Sequence, residues 1–169
     1  QVGGTYAQVL GPFILKLEAG HRMFELPASN MTVVGPVADR DHTQVALGVE
    51  WGMSHANGWD STWILEGQNY FGVSQSMRAA LGVFQRDALL GYRLALNDIN
   101  SSEWFAGVIG DLERSEEFMG FVSYRQRLSD LWNVSTGMRL VHAPQTEPIP
   151  SGLQALDRSD QIRLTITGF

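Results

Sequence analysis

Charged and amide side chains occupy alternate positions along much of this chain, and they are the groups that could interact with a polar solute. Apolar residues stand between them. In an extended Thr43–Ser54, Gln44 and Glu50 would face one side together with small residues, and valine, leucine and tryptophan would face the other side. Acidic members concentrate early in the series and basic members late. The series is Lys16, Glu18, Gln44, Glu50, Glu66, Gln68, Arg93, Asn97, Glu103, Asp111, Arg125, Arg127, Arg139 and Arg163.

The separation of acidic from basic residues predicts a function that depends on the width of the fold. In a wide β-barrel the charged members of the series would line the lumen, and their separation would set a transverse field across a pore. In an eight-stranded barrel the interior is narrow, and the same side chains would form a closed plug of ion pairs. On a soluble sheet they would face bulk water. We predict that the charged members line a lumen.

Other polar residues invite catalytic or metal-binding interpretations. The histidines, which are His21, His42, His55 and His142, have no partners at a spacing typical of a metal or nucleophilic site. The carboxylates Asp111, Glu113, Glu116 and Glu117 could hold Ca²⁺, although a solvated acidic turn is the favoured interpretation. We therefore predict no enzymatic activity, no catalytic residue, no metal site and no cofactor.

The tryptophans form a second set with a common position. Trp51, Trp63, Trp104 and Trp132 stand near the ends of alternating stretches and in phase with the apolar side. Amphipathic rings at this position are typical of the aromatic girdle of a membrane protein, where they lie at the headgroup level. The alternative is that they are ordinary core tryptophans. We predict a girdle.

The elements that position both sets are long β-strands. In Thr43–Ser54, large apolar residues alternate with small or polar ones over about twelve residues, whereas strands of globular proteins usually span about 5–6 residues. A strand that crosses a membrane obliquely needs about 9–11 residues. The predicted strands are Val2–Leu10, Phe13–Met23, Thr43–Ser54, Thr62–Phe71, Asp87–Asn97, Glu103–Leu112, Glu117–Arg127, Leu131–Val141 and Asp160–Phe169. No helix is predicted.

The connections between these strands alternate in length, provided that Met77–Phe84 belongs to a loop. Connections 11–12, 55–61, 98–102 and 128–130 are short, whereas 24–42, 72–86 and 143–159 are long and 113–116 is intermediate. Outer-membrane barrels have short turns at one end and longer loops at the other. The alternation therefore favours an antiparallel up-and-down transmembrane β-barrel with 8–10 strands in this chain.

Composition sets limits on partners. A net charge of -6 argues against a nucleic-acid partner, which would require a basic surface. The chain has no cysteine, which excludes disulfide and thiolate chemistry. No apolar run is long enough for a transmembrane helix. The 169 residues fit a single domain, 1–169.

The alternating strand that ends in Phe169 resembles the C-terminal strand of Gram-negative outer-membrane β-barrel proteins. The resemblance implies a bacterial outer-membrane location, contact with the lipid bilayer and lipopolysaccharide, and recognition of Phe169 by the outer-membrane assembly machinery. Additional envelope subunits are a further expected class of partner.

Nine strands conflict with the even number expected of single-chain bacterial barrels. Either Val2–Leu10 does not span and the barrel has eight strands, or the chain is the C-terminal part of a larger barrel. The tight turn at Gly11–Pro12 favours the second interpretation.

We predict a porin-like channel or export conduit for polar solutes. One alternative is a small plugged structural or adhesion barrel that works through its long loops, 24–42 and 143–159. Another is a soluble lipocalin-like barrel, in which Val45, Leu47, Val49 and Trp51 would point inward at a ligand.

Overall fold

The alternating stretches form nine strands that pair in chain order into one antiparallel sheet. The computed structural model describes residues 1–23, 41–145 and 152–168, apart from the side chains of residues 79 and 80. The strands are β1 (Val2–Leu10), β2 (Phe13–Arg22), β3 (His42–Ser54), β4 (Asp60–Phe71), β5 (Arg86–Ala95), β6 (Glu103–Asp111), β7 (Phe118–Ser129), β8 (Trp132–His142) and β9 (Gln161–Gly168). The all-β class, the antiparallel up-and-down order and the approximate strand bounds are confirmed.

The sheet is open, whereas the sequence predicts a closed barrel. In the described part of the chain, β1 pairs only with β2 and β9 only with β8. Because the number of strands is odd and each reverses the chain, β1 and β9 run in the same direction. Pairing them would require one parallel ladder, which the even-numbered, all-antiparallel bacterial single-chain barrels do not contain. The sheet formed by the described strands therefore has two free edges, β1 and β9.

The two ends of the sheet carry different connections. Residues 11–12, 55–59, 96–102 and 130–131 join strands at one end, here called the turn end. Residues 23–41, 72–85, 112–117 and 143–160 join them at the other, here called the loop end. The treatment of Met77–Phe84 as part of a connection is confirmed, because no strand forms there.

Two short helices lie in loop-end connections, contrary to the expectation of none. They are α1 (Gln75–Leu81) and a 3₁₀ helix (Gly152–Leu156). Both are too short for a periodic apolar stripe to appear in the sequence, so tertiary contacts must stabilise them. Within the described residues, neither helix is long and apolar enough to cross a membrane.

Register divides the side chains of the sheet between an apolar face and a charged face. On the apolar face Phe13, Trp51, Trp63 and Tyr92 lie in one row across four strands. That face carries large aliphatic and aromatic residues across all nine strands; Arg86 is its one charged strand residue and occupies the first position of β5. Every other aspartate, glutamate, lysine and arginine within the described strands lies on the charged face.

The described residues bury little apolar surface within the chain. Among the described residues, the buried apolar side chains are Met119, Ala143 and Leu153, at the loop end of the charged face. On the apolar face, by contrast, Leu65 is 57% and Leu90 is 47% exposed in the middle of their strands. Contiguous exposed apolar surfaces of this extent are typical of sites where a protein contacts another molecule or a membrane.

Candidate functional site

The charged face gathers all the residues that the sequence predicts to line a lumen. Strand register places them on the same side of the sheet: Lys16, Glu18, Glu50, Glu66, Arg93, Glu103, Asp111, Arg125, Arg127, Arg139 and Arg163. Successive side chains of a strand point to opposite faces of the sheet, whichever strands pair, so this placement follows from the sequence. The contacts made by each residue do not follow from it, and they divide the set into three groups.

The first group is an acidic patch on β2, β3 and β4. Lys16 forms an ion pair with Glu50, which leaves Glu18 and Glu66 as the remaining charges around a cavity of about 300 Å³. Gly48 lies directly between Lys16 and Glu66, and a Cβ at this position would stand 3.2 Å from Cγ of Glu66. The glycine makes room for the Glu66 side chain.

The second group forms what we call the arginine groove, a depression across β5 to β9. Glu103 accepts a hydrogen bond from Arg93 Nε at 2.8 Å, and its other oxygen lies 3.6 Å from Nη2 of Arg125. Arg163 reaches the same cavity from β9. The groove, of about 480 Å³, is lined by Arg93, Glu103, Phe105, Ser123, Arg125, Ser135, Gly137 and Arg163, with parts of neighbouring residues.

The third group binds the connections at either end of the sheet. Arg127 Nη2 donates to the carbonyl of Ile99 at 2.8 Å, at the turn end. Arg139 Nη2 donates to the carbonyl of Ser159 at 3.3 Å, at the loop end. These two residues have defined structural partners, which alternation alone could not reveal.

Asp111 completes the third group, and it lies in a buried ion-pair cluster. Its Oδ2 is 3.5 Å from Nε of Arg114, and Glu117 Oε1 is 3.3 Å from Nη1 of the same arginine. Gln154 Nε2 donates to Glu117 Oε1 at 2.6 Å. Asp111 is 4% and Glu117 is 3% exposed, so the expectation of a solvated acidic turn is wrong for these two residues.

The calcium interpretation of the same carboxylates is not supported either. Arg114 supplies the positive charge for Asp111 and Glu117, and Arg78 forms an ion pair with Glu113. Across the ranges that the structure describes, no three histidine, aspartate or glutamate side chains come together as a metal site would require.

The ion-pair cluster holds both helices against the loop end of the charged face. Arg78 of α1 contacts Glu113 and donates from Nη1 to the carbonyl of Val73 at 2.9 Å. The 3₁₀ helix begins at Gly152, whose φ is +60°. A Cβ there would stand 2.5 Å from Nε2 of Gln85, so the helix packs directly on that buried amide. Sequence reasoning missed Arg78, Gln85, Arg114 and Gln154, which carry no periodic signal.

The histidines lie apart and take structural partners. His55 Nε2 is 2.7 Å from Ser61 Oγ, but Ser61 is buried and closed to a substrate. Ser54, which precedes His55 in the sequence, donates instead to Asp60 Oδ1 at 2.6 Å. His21 Nδ1 is 2.9 Å from Thr43 Oγ1. No nucleophile paired with an accessible base emerges from these contacts.

The predicted girdle tryptophans all lie on the apolar face. Three stack or tilt against rings that the sequence analysis did not single out: Phe13–Trp51 at 6.0 Å between centroids, and Trp63–Tyr92 and Trp104–Tyr124 at 4.7 Å each. Trp132 packs beside Gly168, where a Cβ would stand 3.0 Å from the indole. All four tryptophans are 41–50% exposed, so they do not belong to a core formed by the described residues.

The turn 96–102 at the turn end depends on an ionised carboxylate. The backbone amide of Ser102 donates to Asp98 Oδ1 at 2.8 Å. This hydrogen bond, with a smaller contribution from the Ser102 hydroxyl, holds the pKa of Asp98 below its usual value.

Phe169 and most of the connection 24–42 lie outside the described residues, as do residues 146–151 of the connection 143–159. Comparison of the chain with protein-family models, curated protein sequences and solved structures finds no match in any of the three.

Proposed function

We propose that this chain forms part of the wall of a transmembrane β-barrel in a bacterial outer membrane, with its charged face lining a porin-like channel or export conduit for polar solutes. The observation that carries the proposal is the division of the sheet into two faces. Exposed aliphatic and aromatic residues cover one face, and ion pairs and open charges cover the other.

The energetics of the apolar face favour lipid as its surroundings. Transfer of one large apolar side chain out of water is worth about 1.5–3 kcal/mol. More than a dozen such side chains are exposed on this face, and they include Leu47, Leu65, Leu90, Val108 and Leu140. A soluble protein of this size would gain much by covering them, whereas a membrane covers them directly.

Strand length and ring position support the same proposal. β3 has 13 residues and β4 has 12, enough to cross the hydrocarbon layer at a tilt. The paired rings lie toward the turn end of the apolar face, where one bilayer interface would be.

The directions of the two edge strands determine how such a barrel could close. Since β1 and β9 run in the same direction, an all-antiparallel barrel needs an odd number of further strands between them. A second copy inserted into the membrane in the same orientation would place its β1 beside β9 of the first copy, with the two strands parallel. A second copy therefore does not supply the strands that an all-antiparallel barrel needs. We therefore favour a larger barrel whose remaining strands come from another polypeptide segment.

The test measures which face contacts lipid. Variants that retain a single tryptophan at Trp63, with phenylalanine at the other four tryptophans, are reconstituted in vesicles of brominated phospholipid. The matched variant has no native tryptophan and carries Phe105→Trp on the charged face. Strong quenching of Trp63 and weak quenching at position 105 are expected.

Equal quenching at the two positions, or a protein that remains dispersed in buffer without detergent, would overturn the proposal. The second outcome would favour a soluble binding barrel. Single-channel recording of the complete barrel, extracted in detergent together with the segment that supplies its remaining strands, then separates a conduit from a plugged structural barrel: stable conductance steps support a conduit, and insertion without conductance refutes it. Contact of Phe169 with the assembly machinery, and of the apolar face with lipopolysaccharide, belongs to the same proposal.

A further inference from the structure

The arginine groove carries an excess of positive charge that its own carboxylate does not neutralise. Three guanidinium groups and one carboxylate line it, so two positive charges remain. The whole chain, by contrast, has a net charge of -6, and the patch on β2 to β4 is acidic. The positive charge is therefore local to β5–β9.

Glu103 contacts two of the three arginines in the groove. It binds Arg93 through one oxygen and approaches Arg125 at 3.6 Å through the other. Arg125 nevertheless has a side chain that is 63% exposed, so part of its guanidinium remains open to a ligand. Arg163 has no carboxylate partner among the residues that the structure describes.

The floor of the groove is made of small residues. On β8, Ser135 lies directly opposite Arg125 of β7, and Gly137 lies directly opposite Arg163 of β9. Arg125 and Arg163 stand on strands about 9–10 Å apart and are offset by two residues, about 7 Å, along the strand direction. Two extended arginine side chains are long enough to converge diagonally across this separation above a flat floor. A Cβ at Gly137 would make only ordinary contacts, the nearest at 3.5 Å, so backbone packing does not require glycine there.

We propose that Arg125 and Arg163 bind a small oxyanion, a carboxylate or a phosphate, over the floor formed by Ser135 and Gly137. Two planar guanidinium groups match the geometry of such an anion, and the serine hydroxyl adds a donor. If the charged face lines a conduit, as proposed above, this site makes the passage selective for anionic solutes. The binding step itself does not depend on conduction.

The experiment measures binding to the full chain in detergent micelles, where no channel is needed. Inorganic phosphate and acetate are titrated separately, and binding is followed by isothermal calorimetry and by the NMR signals of the arginine side-chain nitrogens. Arg163→Gln and Arg125→Gln are each expected to weaken binding about tenfold, because each removes a charge-assisted hydrogen bond. The two titrations show which oxyanion the site prefers.

Arg22→Gln is the matched control, because Arg22 lies on the charged face at the loop end of β2, away from the groove. It should leave the affinity within twofold. Arg163→Lys retains the charge but not the planar fork, and it should weaken binding by a few fold without disturbing the fold. Gly137→Val fills the floor without changing any charge and should also weaken binding.

Unchanged affinity in both arginine-to-glutamine variants, or an equal loss in Arg22→Gln, would overturn the proposal. Recording of reversal potentials separates it from the proposed function. Phosphate binding that depends on Arg163, together with a complete barrel that never conducts, supports the groove and refutes the conduit. Conductance with no phosphate or acetate binding refutes the groove and supports the conduit.

Discussion

A pair of adjacent leucines on β5 offers the sharpest test of the two-faced sheet. Leu90 lies on the apolar face in the middle of the strand, directly opposite Leu65 and Val108. Leu89 points to the charged face, directly opposite Glu66 and Ile109. Leu90→Arg and Leu89→Arg therefore place the same charge one residue apart, on opposite sides of the sheet.

The expected costs differ by several kcal/mol. At the midplane of a bilayer, arginine on the lipid-facing side of a barrel costs about 2–4 kcal/mol. Loss of the leucine adds about 2 kcal/mol of apolar transfer energy, so Leu90→Arg should lower the free energy of unfolding by about 5 kcal/mol. Leu89→Arg loses part of the apolar contact of a half-buried leucine but gains a carboxylate neighbour in Glu66, and it should cost no more than about 2 kcal/mol.

The assay is reversible urea unfolding in phospholipid vesicles, followed by tryptophan fluorescence. Circular dichroism of each variant before unfolding provides the control for correct assembly. If Leu90→Arg destabilises the protein no more than Leu89→Arg does, the apolar face does not contact lipid. In a sheet whose apolar face is in water, Leu90→Arg would instead be neutral and would improve solubility.

Two further predictions concern local structure. Gly107→Ala should destabilise the sheet by about 1–3 kcal/mol, because the new Cβ would stand 2.7 Å from the ring of Phe121, whereas Gly120→Ala, with no atom within 4 Å, should be neutral in the same unfolding assay. Asp98 has a folded-state pKa below its usual value, so its contribution to the turn is present above the unfolded pKa of about 3.9 and is lost as pH falls through the lowered folded value. The protection factor of the Ser102 amide against hydrogen exchange, corrected for the intrinsic pH dependence of exchange, should therefore fall at acidic pH, and Asp98→Asn should remove that dependence. An unchanged protection factor on acidification would contradict the assignment.

The strands and the two faces could be predicted from the sequence because both depend only on the alternation of apolar with polar or small residues. The face of Glu66 or Leu65 is fixed by its position in the strand, whichever strand lies beside it. The bounds of β1 and of most other strands follow for the same reason, since turn residues interrupt the alternation.

The ion-pair cluster and the helices could not be predicted in this way. Arg78 and Glu113 are 35 residues apart, and neither stands in an alternating stretch that would indicate a partner. The α1 helix has seven residues, fewer than two turns, so no periodic apolar stripe marks it. Its position depends on contacts with 112–117, which only the folded sheet brings near.

Closure of a barrel could not be predicted from the alternation of side chains, because alternation does not indicate which strand pairs with an edge strand. The period-two pattern of β1 and β9 is compatible with any neighbour that presents its apolar side to the same face. Direction is what restricts the neighbour, since both edges run from the loop end to the turn end. Each edge therefore requires a strand that runs from the turn end to the loop end, with a polar side in register with Thr5 or Arg163. The arginine groove extends to β9, so the strand that completes this edge would lie beside the proposed anion site.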